Sequence, residues 1–222
     1  MLPRRRSLLR IALALSAGPV LAAERSAKER ALDEELLKAA ELDRGSHVVT
    51  LLLRGADVNA RDAKRQSALH IAIREESEHA VEGLLKDPLL DVNALNLSGE
   101  TPLMLAALKG RLDWVKILVK RGALINEPGW NALHYAASGP DNGVCAWLLS
   151  QGAEIDALSP NGTTALMMAA GYGSTLAFEA LLAAGADVRL RNQQGMDAAD
   201  FARRVGRTQL LEQLQSRGSA KR

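Results

Sequence analysis

Cysteine occurs once in 222 residues, at Cys145, so an internal disulfide, a four-thiolate metal site and a lipid-acylated cysteine near the start are all excluded. Aromatic residues make up only 3% of the chain, too few for a wide globular core. That scarcity suits thin layers of helices packed through leucine, valine and alanine, each layer burying its face only against its neighbours. A membrane-length apolar run is also missing: the stretch from Ile11 to Leu21 is about a dozen residues and contains Gly18-Pro19, whereas a spanning helix needs about 20. Charge of one sign is missing too, with 28 basic residues against 26 acidic. With 47% hydrophobic residues the chain still has enough apolar material for one sizeable folded domain.

The first 22 residues stand apart. Arg4-Arg5-Arg6 and Arg10 precede the apolar run, and small residues follow it, which is the layout of a signal peptide. Cleavage is expected after Ala22, with after Ala23 as the alternative. Arg5-Arg6-Ser7-Leu8-Leu9-Arg10 is similar to bacterial twin-arginine signals, and an ordinary Sec signal with an arginine-rich start fits as well. A chain without residues 1–22 keeps 24 basic and 26 acidic residues, a formal net charge of −2. Such a mixed surface gives no electrostatic reason for binding nucleic acid or an anionic membrane.

What the chain does have is repetition. Gly99 to Gly110 reads Gly-Glu-Thr-Pro-Leu-Met-Leu-Ala-Ala-Leu-Lys-Gly: a capping threonine, a proline suited to a first helical turn, and Leu103, Ala106 and Ala107 on one narrow apolar face. A second run, Leu112 to Lys120, puts Val115, Leu118 and Val119 on one side before Gly122-Ala123 stops it. The first tetrapeptide recurs as Ser67-Ala68-Leu69-His70, Asn131-Ala132-Leu133-His134, Thr164-Ala165-Leu166-Met167 and a worn Asp197-Ala198-Ala199-Asp200. From Leu69 to Leu103, Leu133, Leu166 and Ala199 the steps are 34, 30, 33 and 33 residues. Gly55-Ala56-Asp57-Val58-Asn59, Gly122-Ala123-Leu124-Ile125-Asn126, Gly152-Ala153-Glu154-Ile155-Asp156 and Gly185-Ala186-Asp187-Val188 form a second series in phase with the first.

Two signatures at a period of about 33 resemble the ankyrin repeat family, over roughly residues 30–218. The resemblance implies an all-α solenoid of stacked helix-turn-helix units joined by β-turn fingers, about five to six repeats with the terminal ones acting as caps. The expected division is 1–22 signal peptide, 23–29 linker, 30–218 repeat domain and 219–222 flexible tail. Departures from the pattern are local. Arg65 stands where the family's turn has glycine, Lys86 to Leu90 makes a connection one residue longer than usual, and Asn126 to Trp130 lacks three residues of the expected turn. The finger between the third and fourth repeats should therefore be short.

Candidates for chemistry read mostly as structure. His70 and His134 stand where the family uses histidine to hydrogen-bond neighbouring turns, and Met104 and Met167 fill the same position in other repeats, which a shared metal or acid–base role would not tolerate. His47 and His79 lack the i+4 partner that a helical zinc site needs. Glu75, Glu76 and Glu78 read as a solvated helix end with no recurring basic or nucleophilic partner, Cys145 as a small core residue, and Met168 as packing in the register of Leu105. Glycine-rich segments fall at repeat turns, so no phosphate loop is expected. No catalysis, metal or cofactor is expected.

The resemblance leaves the turn tips and the ends of the first helices free to line a concave groove. The candidate protein-binding residues there are Lys64, Gln66, Arg74, Glu75, Leu97, Glu100, Leu108, Lys109, Trp130, Asn161, Thr163, Tyr172, Gln194 and Met196. The implied function is that of a non-enzymatic protein–protein interaction module or scaffold in the bacterial periplasm, monomeric, with no nucleic-acid or membrane partner once the signal is removed. The alternatives are an accessory subunit of an envelope enzyme and a secreted effector acting on host proteins.

Overall fold

A computed structural model describes residues 25–140 and 143–220. The signal-peptide reading falls on residues 1–22, outside that range, as do Lys221 and Arg222. The described residues form twelve helices in six antiparallel pairs: α1 (Ala27–Glu41) with α2 (Gly45–Leu53), α3 (Ala68–Arg74) with α4 (Glu78–Leu84), α5 (Pro102–Leu108) with α6 (Leu112–Lys120), α7 (Ala132–Ser138) with α8 (Val144–Ser150), α9 (Ala165–Gly171) with α10 (Thr175–Ala183), and α11 (Ala198–Arg204) with α12 (Thr208–Ala220). The β-structure among the described residues is one antiparallel bridge between Arg61 and Ser67.

Most of the odd-numbered helices are only seven residues long, far too short to be stable alone. Two features hold them. Each starts in a capping box: Ser67, Thr101, Asn131, Thr164 and Asp197 accept the N–H of the residue three positions on, and that residue's side chain reaches back to the cap N–H. Each also packs on the next odd helix in a continuous row. Leu69, Leu103, Leu133 and Leu166 are at most 1% exposed, and the alanines beside them bring the helices close. Where the chain turns out of the odd helices α7 and α9 the approach is closest of all: a methyl group on Gly173 would lie 1.9 Å from the Ala137 carbonyl, and one on Gly139 2.2 Å from that of Leu108.

The connecting segments form a ladder of their own. Asn59 Nδ2 donates to the Leu89 carbonyl while its Oδ1 accepts the Asp91 N–H, and Asn93 does the same to Gly122 and Leu124, as Asn126 does to Gly152 and Glu154. Arginines tie repeats through the carbonyls at helix ends. Arg121 binds those of Leu85 and Asp87, Arg207 those of Ala169 and Gly173, and Arg217 that of Leu182. The long connection after α4 is an extra turn at Asp87–Leu90, and Arg121 fastens it.

Both ends differ from the sequence expectation. The stretch read as linker holds the start of α1: Ser26 and Glu29 form a capping box, and Arg25 pairs with Asp33. At the other end α12 continues to Ala220, so that residues 219 and 220 of the expected tail are helical; Leu210 and Leu214 are buried and Arg217 is hydrogen-bonded to α10.

Candidate protein-binding face

The face is built on the turns that precede the odd helices. His70 and His134 fix them. The Ser67 N–H donates to His70 Nδ1 at 3.2 Å, so His70 Nε2 carries the proton and donates to the Glu100 carbonyl of the next finger at 3.0 Å. His134 Nε2 likewise reaches the Thr163 carbonyl at 3.0 Å, while its Nδ1 lies 3.4 Å from the Asn131 nitrogen and 2.8 Å from Asn131 Oδ1. Burial pushes both imidazoles below their ordinary pKa, more than the carbonyl contacts raise them, so both rings are neutral struts. In two other repeats Met104 and Met167 take the position, their Sδ 3.4 and 3.5 Å from the cap N–H.

Adjacent fingers are joined tip to tip in two places. The Leu97 N–H donates to the Lys64 carbonyl at 3.0 Å, and the Gln193 N–H to that of Asn161 at 2.9 Å. Between these two joined pairs lies the short connection, eleven residues from Lys120 at the end of α6 to the cap Asn131, where the next connection takes fourteen from Ser150 to Thr164. In place of a hairpin tip, Gly129 turns at φ 85° and delivers Trp130, half-buried, edge-on to the His134 ring at 5.3 Å.

The missing tip opens a notch. Leu108, Trp130, His134, Tyr135, Ser138 and Met168 line a cleft of about 210 Å³. An adjoining cleft of about 270 Å³ shares Trp130 and Met168 and continues past Asn161, Tyr172, Gln194, Met196 and Arg204. Seven of the fourteen candidates therefore meet on this double cleft. Tyr172 is 61% exposed, its ring edge-on to Phe201 at 6.3 Å. Thr163 is the correction: it is only 2% exposed, with its N–H bonded to Ser159 Oγ and its carbonyl to His134, so it holds the wall rather than presenting a surface.

The other seven candidates make up the N-terminal half of the face. Lys64, Arg74, Glu75 and Leu97 are exposed. Arg74 pairs with Glu75 at 2.9 Å and donates to Gln66 Oε1, while Lys109 pairs with Glu76 at 2.9 Å. Glu100 joins the halves, accepting Tyr135 Oη–H at 3.1 Å and Asn96 Nδ2 at 2.8 Å. Burial and the neighbouring Glu100 carboxylate push the Tyr135 phenol well above its usual range, so it stays a hydrogen-bond donor.

Tyr135, Ser138, Met168 and Arg204 were missed by sequence reasoning. Arg204 stands in the register of Arg74 and Leu108, which were chosen, so counting the repeat through would have found it. Met168 was assigned to packing because it aligns with Leu105. Leu105 is 8% exposed, but Met168 lies half-buried where the two clefts meet.

Elsewhere the titratable clusters are engaged in structure. Glu75, Glu76 and Glu78 do have basic partners, contrary to the sequence reading: Arg74 from the same repeat, and Lys109 and Arg111 from the next. His47 meets Glu35, and His79 meets Asp43. Cys145 is fully buried. A larger cleft of about 400 Å³ at the C-terminal end is lined by Arg189, Arg191 and Arg203, whose charges are met by Asp187, Asp197 and Asp200. Among the described residues no group of three or more His, Cys, Asp or Glu is placed to hold a metal ion, and no helix is long and apolar enough to cross a membrane.

A family model described as ankyrin repeats in three copies matches residues 36–128, 86–157 and 133–221. The chain belongs to the ankyrin-repeat family. Among ankyrin-repeat relatives, the mouse nuclear factor NF-kappa-B p105 subunit is 35% identical over 147 residues, covering 62% of this chain and 15% of that protein. Protein lin-12 of Caenorhabditis elegans is 32% identical over 183 residues, covering 75% of this chain and 13% of that one. The chain thus spans about one seventh of these relatives. Among solved structures, a chain in the complex of the Bd0816 predatory endopeptidase from Bdellovibrio bacteriovorus with immunity protein Bd3460 superposes with a TM-score of 0.70 and 26% identity, covering 82% of this chain and 96% of that one.

Proposed function

We propose that this ankyrin-repeat chain is a non-catalytic binding protein of the bacterial cell envelope, exported by its N-terminal segment, that holds a partner protein against its concave face. The observation that carries the reading is the double cleft. Large side chains from the tips and inner helices of four repeats, Leu108, Trp130, Tyr135, Met168, Tyr172 and Met196, line adjoining clefts where Arg204 and Gln194 supply polar groups. Aromatic anchors with polar neighbours are the usual make-up of a protein interface. The similar solved chain is of nearly the same extent and comes from a complex that contains a peptidase and an immunity protein, which favours an enzyme as the partner here.

The test is capture from envelope extract with residues 23–222 as bait, followed by titration of the captured protein. Trp130→Ala and Tyr172→Ala should each weaken binding by about 2 kcal/mol or more, as truncation of a buried anchor does. Lys116→Ala, at an exposed position on the outer helix α6, should bind as the parent does. Equal affinity for all three variants would remove the concave-face reading. For export, the envelope form should begin at Ala23 or Glu24 by intact mass, and retention of residues 1–22 would overturn that part.

A further inference from the structure

The groove just described is uneven in charge as well as in depth. Of its basic residues at the N-terminal half, Arg74 is paired with Glu75 and Lys109 with Glu76, while Lys64 lies exposed at a finger tip outside the lining of the double cleft. Arg204 is different. It is exposed, lines the cleft with Trp130, Met168 and Tyr172, and among the described residues its polar side-chain contact is with the Met196 sulfur, 3.6 Å from Nη1. Its nearest basic neighbours in the sequence are engaged, Arg203 by Asp200 and Arg207 by the carbonyls of Ala169 and Gly173, and Arg191 is held by Asp197 and Asp200. Among the described residues Arg204 is therefore the guanidinium on this cleft with no carboxylate partner, beside a neutral, apolar wall. Glu100, brought to the notch by its bond to Tyr135, is turned to Tyr135 and Asn96.

Resting on the concave-face reading, we infer that the double cleft is a two-part subsite for an acidic segment of the partner. A large apolar side chain enters the notch left by the short finger, between Leu108, Trp130, Tyr135 and Met168, and an aspartate or glutamate of the same segment meets Arg204 in the adjoining cleft. The notch supplies the apolar surface that makes such an anchor favourable. Arg204 supplies a forked donor suited to a carboxylate and not already taken by one. A basic segment would meet an unpaired like charge at the same place, so the arrangement selects by repulsion as well as by attraction.

The probe is a terminally blocked pentapeptide, aspartate–alanine–phenylalanine–alanine–aspartate, with acidic residues on both sides so that either chain direction is served. The readout is the indole N–H signal of Trp130 in a two-dimensional NMR spectrum of the protein, identified by its disappearance in Trp130→Phe, with the Trp114 and Trp147 signals as internal references. The peptide should move the Trp130 signal in a saturable way at millimolar concentration. Replacing its phenylalanine by alanine should weaken the response about tenfold. Replacing both aspartates by asparagine should weaken it about threefold, as expected of an exposed ion pair, and lysines should weaken it further. Arg204→Glu, checked for an unchanged melting temperature, should reverse the order of the aspartate and lysine peptides. The inference is overturned if the Trp130 signal does not move, if the aspartate, asparagine and lysine peptides are equivalent, or if Arg204→Glu leaves their order unchanged. The concave-face reading fails by a different result, the equal affinity of Trp130→Ala, Tyr172→Ala and Lys116→Ala for the captured protein.

Discussion

Acid should loosen this solenoid before any carboxylate titrates, and His70 and His134 are the cause. Both are at most 1% exposed, and burial holds both below the ordinary imidazole pKa of about 6.5 that the unfolded chain retains. Between about 6.5 and the lower native value, the unfolded state binds protons that the folded state refuses, so stability falls as pH falls. Above about 6.5 the penalty is absent. From pH 7.5 to 5.5 each histidine can cost up to about 1.4 kcal/mol, and the pair up to about 3 kcal/mol. His79, raised by its contact with Asp43, acts in the opposite direction, and the depressed carboxylates of Asp43, Asp113 and Asp200 lose their contribution only near pH 4 and below. The repeats themselves supply the control substitution, since Met104 and Met167 occupy the same position. In His70→Met/His134→Met each change gives up one hydrogen bond to the next finger. Neither carbonyl is orphaned, because that of Glu100 keeps the Asn96 N–H at 3.1 Å and that of Thr163 the Ser159 N–H at 3.0 Å. The double variant should therefore be about 2 kcal/mol less stable at pH 7.5. Its urea midpoint should then change much less than the parent's on going to pH 5.5. An acid loss as large in the double variant as in the parent would refute the assignment.

Three other outcomes test the backbone and the core. Arg65 sits at φ 57°, where the equivalent turns have Gly99, Gly162 and Gly195, so Arg65→Gly should raise stability by about 0.5–1 kcal/mol in denaturant titration, the relief of a left-handed side chain outweighing the added chain entropy. Gly173→Ala should cost about 2 kcal/mol or more by the same measurement, since the new methyl would have to displace the Ala137 carbonyl at 1.9 Å. Leu133→Ala should lower stability by about 2–5 kcal/mol and Leu97→Ala, 66% exposed, by no more than about 0.5; equal losses would mean that the repeat register is wrong.

The architecture was legible because it is written several times over. A cap, a leucine and a pair of alanines recurring every 33 residues specify short helices that can only be stable against copies of themselves, and the structure stacks them in that order. The ends were harder to read because the first repeat lacks the tetrapeptide and the last carries only a worn copy. Ser26 and Glu29 cap α1 without it, and α12 runs on to Ala220 through small and basic residues, pinned by Leu214 and Arg217. At the binding face, register alone could place tips and helix ends but could not say what covers them. Leu105 and Met168 hold the same position in their repeats and differ in exposure. Thr163 fails in the other direction, a tip by register and a buried strut in fact, because the neighbouring histidine needs its carbonyl. The cleft that leaves Met168 half-exposed is also lined by Trp130, which ends the connection three residues short. In a solenoid of near-identical layers the irregular layer is where a partner finds depth, and the count of residues between signatures locates that layer before any side chain is placed.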